Sequence, residues 1–244
     1  GTLGGSGLLT VSGTFNWTAG NLTGGLGTLR TLLGSTANLG GATTRQLNAY
    51  TLEIAGTGNW NGTHTINSGS GGTLRVLASG VLAITADPTL SYNLGGATSL
   101  IENLGTINRN TSSGTASFSA PFNTSGTINV NTGVLELNNG GSFGGTTTIA
   151  APAVLSYAAG TYTLQNNVTV AGAGQAQLNG ATLSGLVAGD TARFTVSQLI
   201  LLTGALNPGT GGTVKVSAAL NWIGAASLGG GGKTLVISTG TLSL

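Results

Sequence analysis

The chain contains no cysteine and no methionine, and it has only one histidine. The lack of cysteine excludes disulfides, thiolate catalysis and soft-metal sites, and a fold free of oxidisable sulfur suits an oxidising exterior. Only 5% of the 244 residues are charged, against about a quarter in an average soluble domain. The few Lys and Arg form no cluster, which predicts no nucleic-acid partner. No apolar run is long enough to predict membrane insertion.

Groups that carry out catalysis are equally scarce. The five carboxylates share no common spacing, so we expect them to scatter around a repeat fold rather than pair for acid–base chemistry: Glu53, Asp87, Glu102, Glu136 and Asp190. His64 stands between two threonines, and this alternation predicts a solvated strand residue. The sequence therefore predicts a protein that is not an enzyme and that holds no cofactor or metal.

What the chain does contain is a repeat. A nine-residue phrase reads LTVSGTFNW at 9–17, LEIAGTGNW at 52–60 and VKVSAALNW at 214–222. In each copy two apolar residues flank one variable position, which is the alternation of a strand with one buried face. A small-residue corner and a second short strand follow. Strand, corner and strand in recurring order are typical of a β-solenoid.

The spacing of these segments sets the coil length. Similar segments begin at Phe194, Val214 and Leu235, and others begin at 9, 29, 52 and 74, so the repeat period is about 21 residues. We therefore predict one continuous all-β parallel solenoid over 1–244, with 11 to 12 coils and no substantial helix. The segments at Leu135 and Val168 are not separated by a whole number of coils, which predicts irregular or looped coils around 138–168.

The same alignment predicts which side chains face inward. Five residues are expected to form one buried aliphatic column: Val11, Ile54, Val196, Val216 and Ile237. Thr10, Thr195 and Lys215 should then face water. Three charged residues share one outward position on successive coils, which predicts a stacked ladder of alternating sign: Arg30, Glu53 and Arg75.

The aromatic residues allow two interpretations. Trp17 and Trp60 share a repeat position two coils apart, and exposed rings at that spacing could stack on a carbohydrate, with Trp222 as a third candidate. The alternative is that these rings fill the coil interior, since an apolar residue lies two positions before Trp17 and Trp222 on the same strand face. The second interpretation is favoured.

Thr-X-Thr triplets raise the question of ice binding, for which some solenoids use ranks of outward threonines. The triplets begin at Thr63, Thr146, Thr161 and Thr239, and these positions give no rank at one-coil spacing. We therefore expect the threonines to reflect strand propensity.

Segments 8–29, 41–62 and 104–143 resemble the Gly-, Thr- and Asn-rich strand repeats of very large secreted bacterial surface proteins, of the filamentous-haemagglutinin and autotransporter-passenger kind. The resemblance implies a right-handed parallel β-helix at the cell surface or outside the cell, where such proteins act as stalks, adhesins or fibres. General handedness rules for parallel crossovers agree.

The strand pattern runs to both termini, which predicts open pairing edges and head-to-tail self-association. The residues expected in that contact are Leu8, Leu9, Val11, Leu235, Ile237 and Leu242. The predicted function is a non-enzymatic structural segment of an extracellular bacterial fibre or adhesin stalk, with surface glycans or other fibre components as further partners. The alternative is a carbohydrate-binding β-helix, and a polysaccharide-active enzyme is less favoured.

Overall fold

The computed structural model describes residues 1–217, 219–236 and 241–243, and all its regular structure is β-strand. Every paired strand runs parallel to its neighbours, and the chain winds into a solenoid of about 11 turns with about 22 residues per coil. This confirms the predicted all-β solenoid and its coil length. Each coil contributes one strand to each of three faces, which we number in the order in which the chain visits them.

Face 1 begins each coil. Its strands are Thr2–Leu3, Asn21–Thr23, Arg45–Asn48, Thr65–Gly69, Thr89–Tyr92, Thr115–Phe118, Val134–Leu137, Val154–Tyr157, the first parts of Gln175–Ser184 and Gln198–Leu206, then Ala219–Trp222 and Thr241–Ser243.

Face 2 follows. Its strands are Leu8–Val11, Thr28–Thr31, Thr51–Ile54, Thr73–Val76, Leu100–Asn103, Phe122–Thr124, Gly141–Phe143, Thr161–Leu164, the later parts of Gln175–Ser184 and Gln198–Leu206, and Ser227–Leu228. The two long strands bend from face 1 into face 2, so both faces belong to one 21-stranded sheet.

Face 3 completes each coil as a separate 11-stranded sheet. Its strands are Thr14–Asn16, Thr36–Asn38, Thr57–Trp60, Val81–Ile84, Thr106–Arg109, Thr127–Val130, Thr146–Ile149, Thr169–Ala171, Thr191–Thr195, Thr213–Val216 and Lys233–Val236. The coils are numbered 1 to 11 by these strands.

Glycine marks the corner between faces 2 and 3 because successive coils approach closely there. A Cβ on Gly56 would lie 2.2 Å from the carbonyl oxygen of Ser35, and one on Gly105 would lie 2.3 Å from that of Gly80. The strand that follows each corner begins with threonine in most coils, which explains the frequent Gly-Thr pairs of the sequence.

The core is a continuous aliphatic and aromatic interior that runs through all coils. Ile54, Val196 and Val216 are buried as predicted and Val11 is half-buried, while Ile237 lies outside the described residues. They do not form one column, however, because Ile54 lies on face 2 whereas Val216 lies on face 3. The third copy of the phrase is therefore displaced by one face from the first two.

Two further register predictions are wrong. Val216 pairs with Phe194 and Val236 rather than with Val196 and Ile237, so Leu235 faces outward beside Lys215. The segment 138–168 is regular, since its strands pair in order with the coils on either side. The segment at Leu135 lies on face 1, whereas the segment at Val168 leads into the face 3 strand Thr169–Ala171. The number of residues between them is therefore not a whole number of coils, although the coils are regular. The register shifts are at Leu178, Asn179 and Thr182.

Candidate functional site

The tryptophan pair proposed for sugar stacking is buried. Trp17 and Trp60 do occupy equivalent positions two coils apart at the end of face 3, but their exposed fractions are 3% and 0%. Stacking on a sugar requires a free ring face, so both are core residues. Trp222 lies on face 1, is half-buried, and donates its indole N–H to the carbonyl of Ala226 at 2.8 Å. The three rings form no common platform.

A buried cation lies beside this pair. Arg45 opens the face 1 strand of coil 3, and its guanidinium carbon lies 5.1 Å from the centre of the Trp17 ring. It donates to the carbonyl oxygens of Trp17, Gly40 and Thr43, which belong to the corners between faces 3 and 1. Burial lowers the pKa of Arg45 to about 10, so it remains protonated at neutral pH. The guanidinium thus supplies donors for carbonyls that the corner turns inward.

His64 lies in the next corner and is 2% exposed, so the expectation of a solvated strand residue is wrong. Its Nδ1 donates to the carbonyl of Gly41 at 3.0 Å, and its ring stacks on Trp60 with centroids 6.0 Å apart. Burial lowers the pKa of His64, the nearby charge of Arg45 lowers it further, and the hydrogen bond to Gly41 opposes both. The histidine is therefore a neutral packing and hydrogen-bonding group.

Arg109 repeats this arrangement in coil 5. It lies on the inward side of face 3, fully buried, in register with Ile84 and Val130. Its guanidinium donates to the carbonyls of Ala86 and Gly114 and forms an ion pair with Asp87. Nothing in the sequence alternation distinguished Arg45 or Arg109 from solvated residues, and the burial of these two side chains was not predicted.

The outward charge ladder on face 2 is confirmed and is longer than predicted. Arg30, Glu53 and Arg75 pair in register, and Glu102 adds a fourth member. Glu53 is enclosed between the two arginines, with an Arg75 to Glu53 distance of 2.8 Å and 5% of its side chain exposed. Burial raises the pKa of Glu53, but hydrogen bonds and charges from Arg30 and Arg75 outweigh burial and lower it overall. Glu53 and Glu102 thus share one ladder rather than scattering.

Face 3 carries two parallel outward ranks. One is a column of threonine, interrupted only by Val81: Thr14, Thr36, Thr57, Val81, Thr106, Thr127, Thr146 and Thr169. The other lies two residues further along each strand and is rich in asparagine: Asn16, Asn38, Asn59, Ala83, Asn108, Asn129, Thr148 and Ala171. The expectation that no rank of threonines occurs at one-coil spacing is therefore wrong, because most coils read Thr-X-Asn and not Thr-X-Thr.

Among the residues expected at an end-to-end contact, those that the structure describes lie in the first coil or in the last described strands. Leu9 and Leu242 continue buried columns that contain Leu29 and Leu220, and both are exposed. Leu8 is exposed and Val11 is half-buried. Leu235 is exposed on the outer side of face 3, and Ile237 lies outside the described residues.

A shallow groove of about 250 Å³ lies on face 2 beyond the charge ladder. Its polar lining includes Glu102, Asn123, Ser142 and Gln165. Glu102 is already engaged by Arg75, and Asn123 accepts a hydrogen bond from the Ser142 backbone N–H at 2.8 Å. Within the described ranges, no three His, Asp or Glu side chains come together as a metal site would require.

No protein family, curated protein or solved structure shows a significant match to this chain. The resemblance to bacterial surface repeats thus rests on composition and period. In the part of the chain that the structure describes, no helix has the length and hydrophobicity needed to cross a bilayer.

Proposed function

We propose that the chain is a non-enzymatic structural segment of an extracellular bacterial fibre or adhesin stalk. The observation that carries the proposal is the unbroken parallel pairing of face 3 through eleven strands, with faces 1 and 2 paired alongside it. Each coil contacts chiefly its neighbours, so length is gained by adding coils and load is shared among many backbone hydrogen bonds. A rod of this kind serves as a spacer or fibre.

The surface location is supported by composition and by the resemblance to secreted repeat proteins. The chain has no oxidisable sulfur, and it is rich in residues with hydroxyl and amide side chains. Within this proposal the partners are further coils, from another copy or from the same kind of chain, and other fibre components or surface glycans. Sugar stacking on Trp17 and Trp60 is not retained, because both rings are enclosed.

Head-to-tail association would use the backbone edge of the last coil. Lys233 donates its N–H to Gly212 of the preceding coil, and because successive residues of a strand point to opposite sides, the Val236 N–H points away from that coil. A following coil would accept a hydrogen bond from that group. The apolar ends of the Leu9 and Leu242 columns would be buried in the same contact.

The test is electron microscopy and sedimentation of the purified protein over a range of concentrations. We expect filaments whose axial spacing is near the length of one rod. Val236→Pro removes an N–H that has no partner among the residues the structure describes, so the variant should stay folded and form shorter filaments or none. Leu235→Pro is the contrast, since its N–H faces the preceding coil and its loss should loosen coil 11. A wild-type protein that remains monomeric at high concentration would remove head-to-tail assembly from the proposal.

A further inference from the structure

The outer side of face 3 is uncharged over its first eight coils, whereas within those coils face 1 carries Glu136 and face 2 carries the charge ladder. None of the residues in its two outward ranks carries a charge. The threonine rank becomes charged only in coils 9 and 10, where Arg193 and Lys215 continue it. Face 2 carries the four-residue charge ladder beside the uncharged coils. An uncharged surface matches an uncharged partner, because burying a charge without a counter-charge is costly.

The ranks also form a regular lattice. Face 3 keeps the same register from coil 1 to coil 8 without a bulge, although fewer residues separate Thr127 from Thr146 than separate Val81 from Thr106. Parallel strands stand about 4.8 Å apart, and side chains two residues apart on one strand stand about 6.7 Å apart. These two repeats lie close to the oxygen spacings on a prism face of hexagonal ice.

The side chains on this lattice are held in place before any partner arrives. The Asn38 amide donates to Asn16 at 2.8 Å, Asn59 donates to Asn38 at 3.0 Å, and Asn129 donates to Asn108 at 2.8 Å. Threonine in a strand has few χ1 choices, so its methyl and hydroxyl positions are also fixed. A preorganised surface loses little side-chain entropy on binding a crystalline partner.

From this register, neutrality and order we propose that face 3 of coils 1 to 8 is an ice-binding surface. The threonine methyl and hydroxyl groups and the asparagine amides would hold water in an ice-like array that merges with the crystal. A crystalline polysaccharide is the other uncharged lattice, but proteins that bind one present flat aromatic rings, and Phe15, Trp17 and Trp60 of face 3 point into the core. The inference adds an activity to the structural role and does not depend on fibre formation.

The test measures thermal hysteresis and inhibition of ice recrystallisation. The wild type should show both, and Thr57→Lys with Thr106→Lys should abolish them because two charged side chains hold the crystal off the face. The matched control is Gln46→Lys with Ser91→Lys, which places the same charges on the outer side of face 1 in the same two coils. This control should retain the wild-type activity, and circular dichroism should report the same folded state for all variants.

A gain-of-function variant sharpens the test. In the first six coils, Val81 is the one residue of the threonine rank that is not threonine, and Ala83 is the one residue of the other rank that is not asparagine. Val81→Thr with Ala83→Asn completes both ranks and should increase the thermal hysteresis above that of the wild type. Absence of any ice shaping by the wild type would overturn the proposal. Equal loss in the face 1 and face 3 lysine variants would also overturn it, and so would binding to insoluble cellulose or chitin without binding to ice.

Discussion

Two stretches of the solenoid fill the corner between faces 3 and 1 in different ways. In coils 1 to 5 the corner interior contains Arg45, His64 and Arg109, each of which donates to backbone carbonyls. In coils 6 and 7 the position equivalent to Arg109 is occupied by Val130 and Ile149, with no buried charge. The backbone pairing of face 3 is the same in both stretches.

The difference follows from the corners themselves. The connection 39–44 after coil 2 and the connection 110–114 after coil 5 are longer than the connection 131–133 after coil 6. In the two longer connections the carbonyl groups of Gly40, Thr43 and Gly114 accept hydrogen bonds from a buried guanidinium, since a buried carbonyl group needs a donor where water does not reach it. A buried guanidinium supplies several donors at once. The parallel pairing therefore fixes the backbone of each strand, while the conformation of each corner determines whether polar or aliphatic side chains fill its interior.

The largest effect is expected from removing the coil 5 guanidinium. Arg109→Met removes the donor of the Ala86 and Gly114 carbonyls and leaves the Asp87 carboxylate with only the Ser112 hydroxyl, and it should lower the free energy of unfolding by about 3–5 kcal/mol. The matched change in the aliphatic stretch, Ile149→Val, should cost only about 0.5–1.5 kcal/mol. Urea denaturation measures both. Equal costs would mean that the corner does not need its buried donors.

The aliphatic interior should respond alike in both stretches. Ile54→Ala and Ile149→Ala each remove a fully buried side chain, and each should cost about 2–5 kcal/mol. Thr10→Ala changes an exposed residue and should stay within about 0.5 kcal/mol. The measurement is again urea unfolding. A much smaller cost at Ile54 than at Ile149 would show that the charged stretch does not depend on a packed core.

Acid should destabilise the polar stretch through His64. Its pKa is lowered in the folded state, so the unfolded chain binds the proton more readily, and stability should fall as the pH drops below about 6.5, with a slope of up to about 1.4 kcal/mol per pH unit. Thermal melting from pH 7.5 to 5 measures this. His64→Gln should remove the slope in that range, and a slope that persists in the variant would assign it to another group.

The smallest effect is expected from the charge ladder. Glu53→Gln should cost about 1 kcal/mol, because both arginine partners are about one-third exposed, ion pairs that solvent reaches contribute roughly 0–1 kcal/mol each, and added salt should reduce the difference. The lowered pKa of Glu53 means that its contribution is present above pH 4.5 and is lost as the pH falls through the folded-state pKa. Titration by NMR of the Glu53 carboxyl checks the direction. A pKa above 4.5 would contradict the ladder geometry.

The sequence pattern predicted the lattice better than the interior. Alternation at Leu29–Thr31, Leu52–Ile54 and Leu74–Val76 placed Arg30, Glu53 and Arg75 correctly, because strand period and coil length act together on one face. The same reasoning failed at Val214–Trp222, where a similar phrase occupies different faces. Local alternation identifies a strand with one buried side, but it carries no information on which of three faces the strand joins.

The buried polar groups could not be predicted for a different reason. Arg45, His64 and Arg109 are inward only because the neighbouring corners present carbonyls to them, and corner conformation depends on contacts between coils. The threonine rank was missed because the number of residues between its members changes from coil to coil, so a single fixed period does not align them. Register in the folded state corrects for these differences, since insertions are absorbed at corners.

A set of distances along face 3 tests the continuous solenoid most directly. The chain has no cysteine, so spin labels can be placed on introduced pairs without a background variant. Three double variants each combine Thr14→Cys with one second site, namely Thr106→Cys, Thr146→Cys or Lys215→Cys. The two labels are then four, six or nine coils apart. Pulsed electron paramagnetic resonance should give distances of about 19, 29 and 43 Å, which rise by about 4.8 Å per coil. Distances that do not increase in proportion to the number of coils would contradict the continuous solenoid.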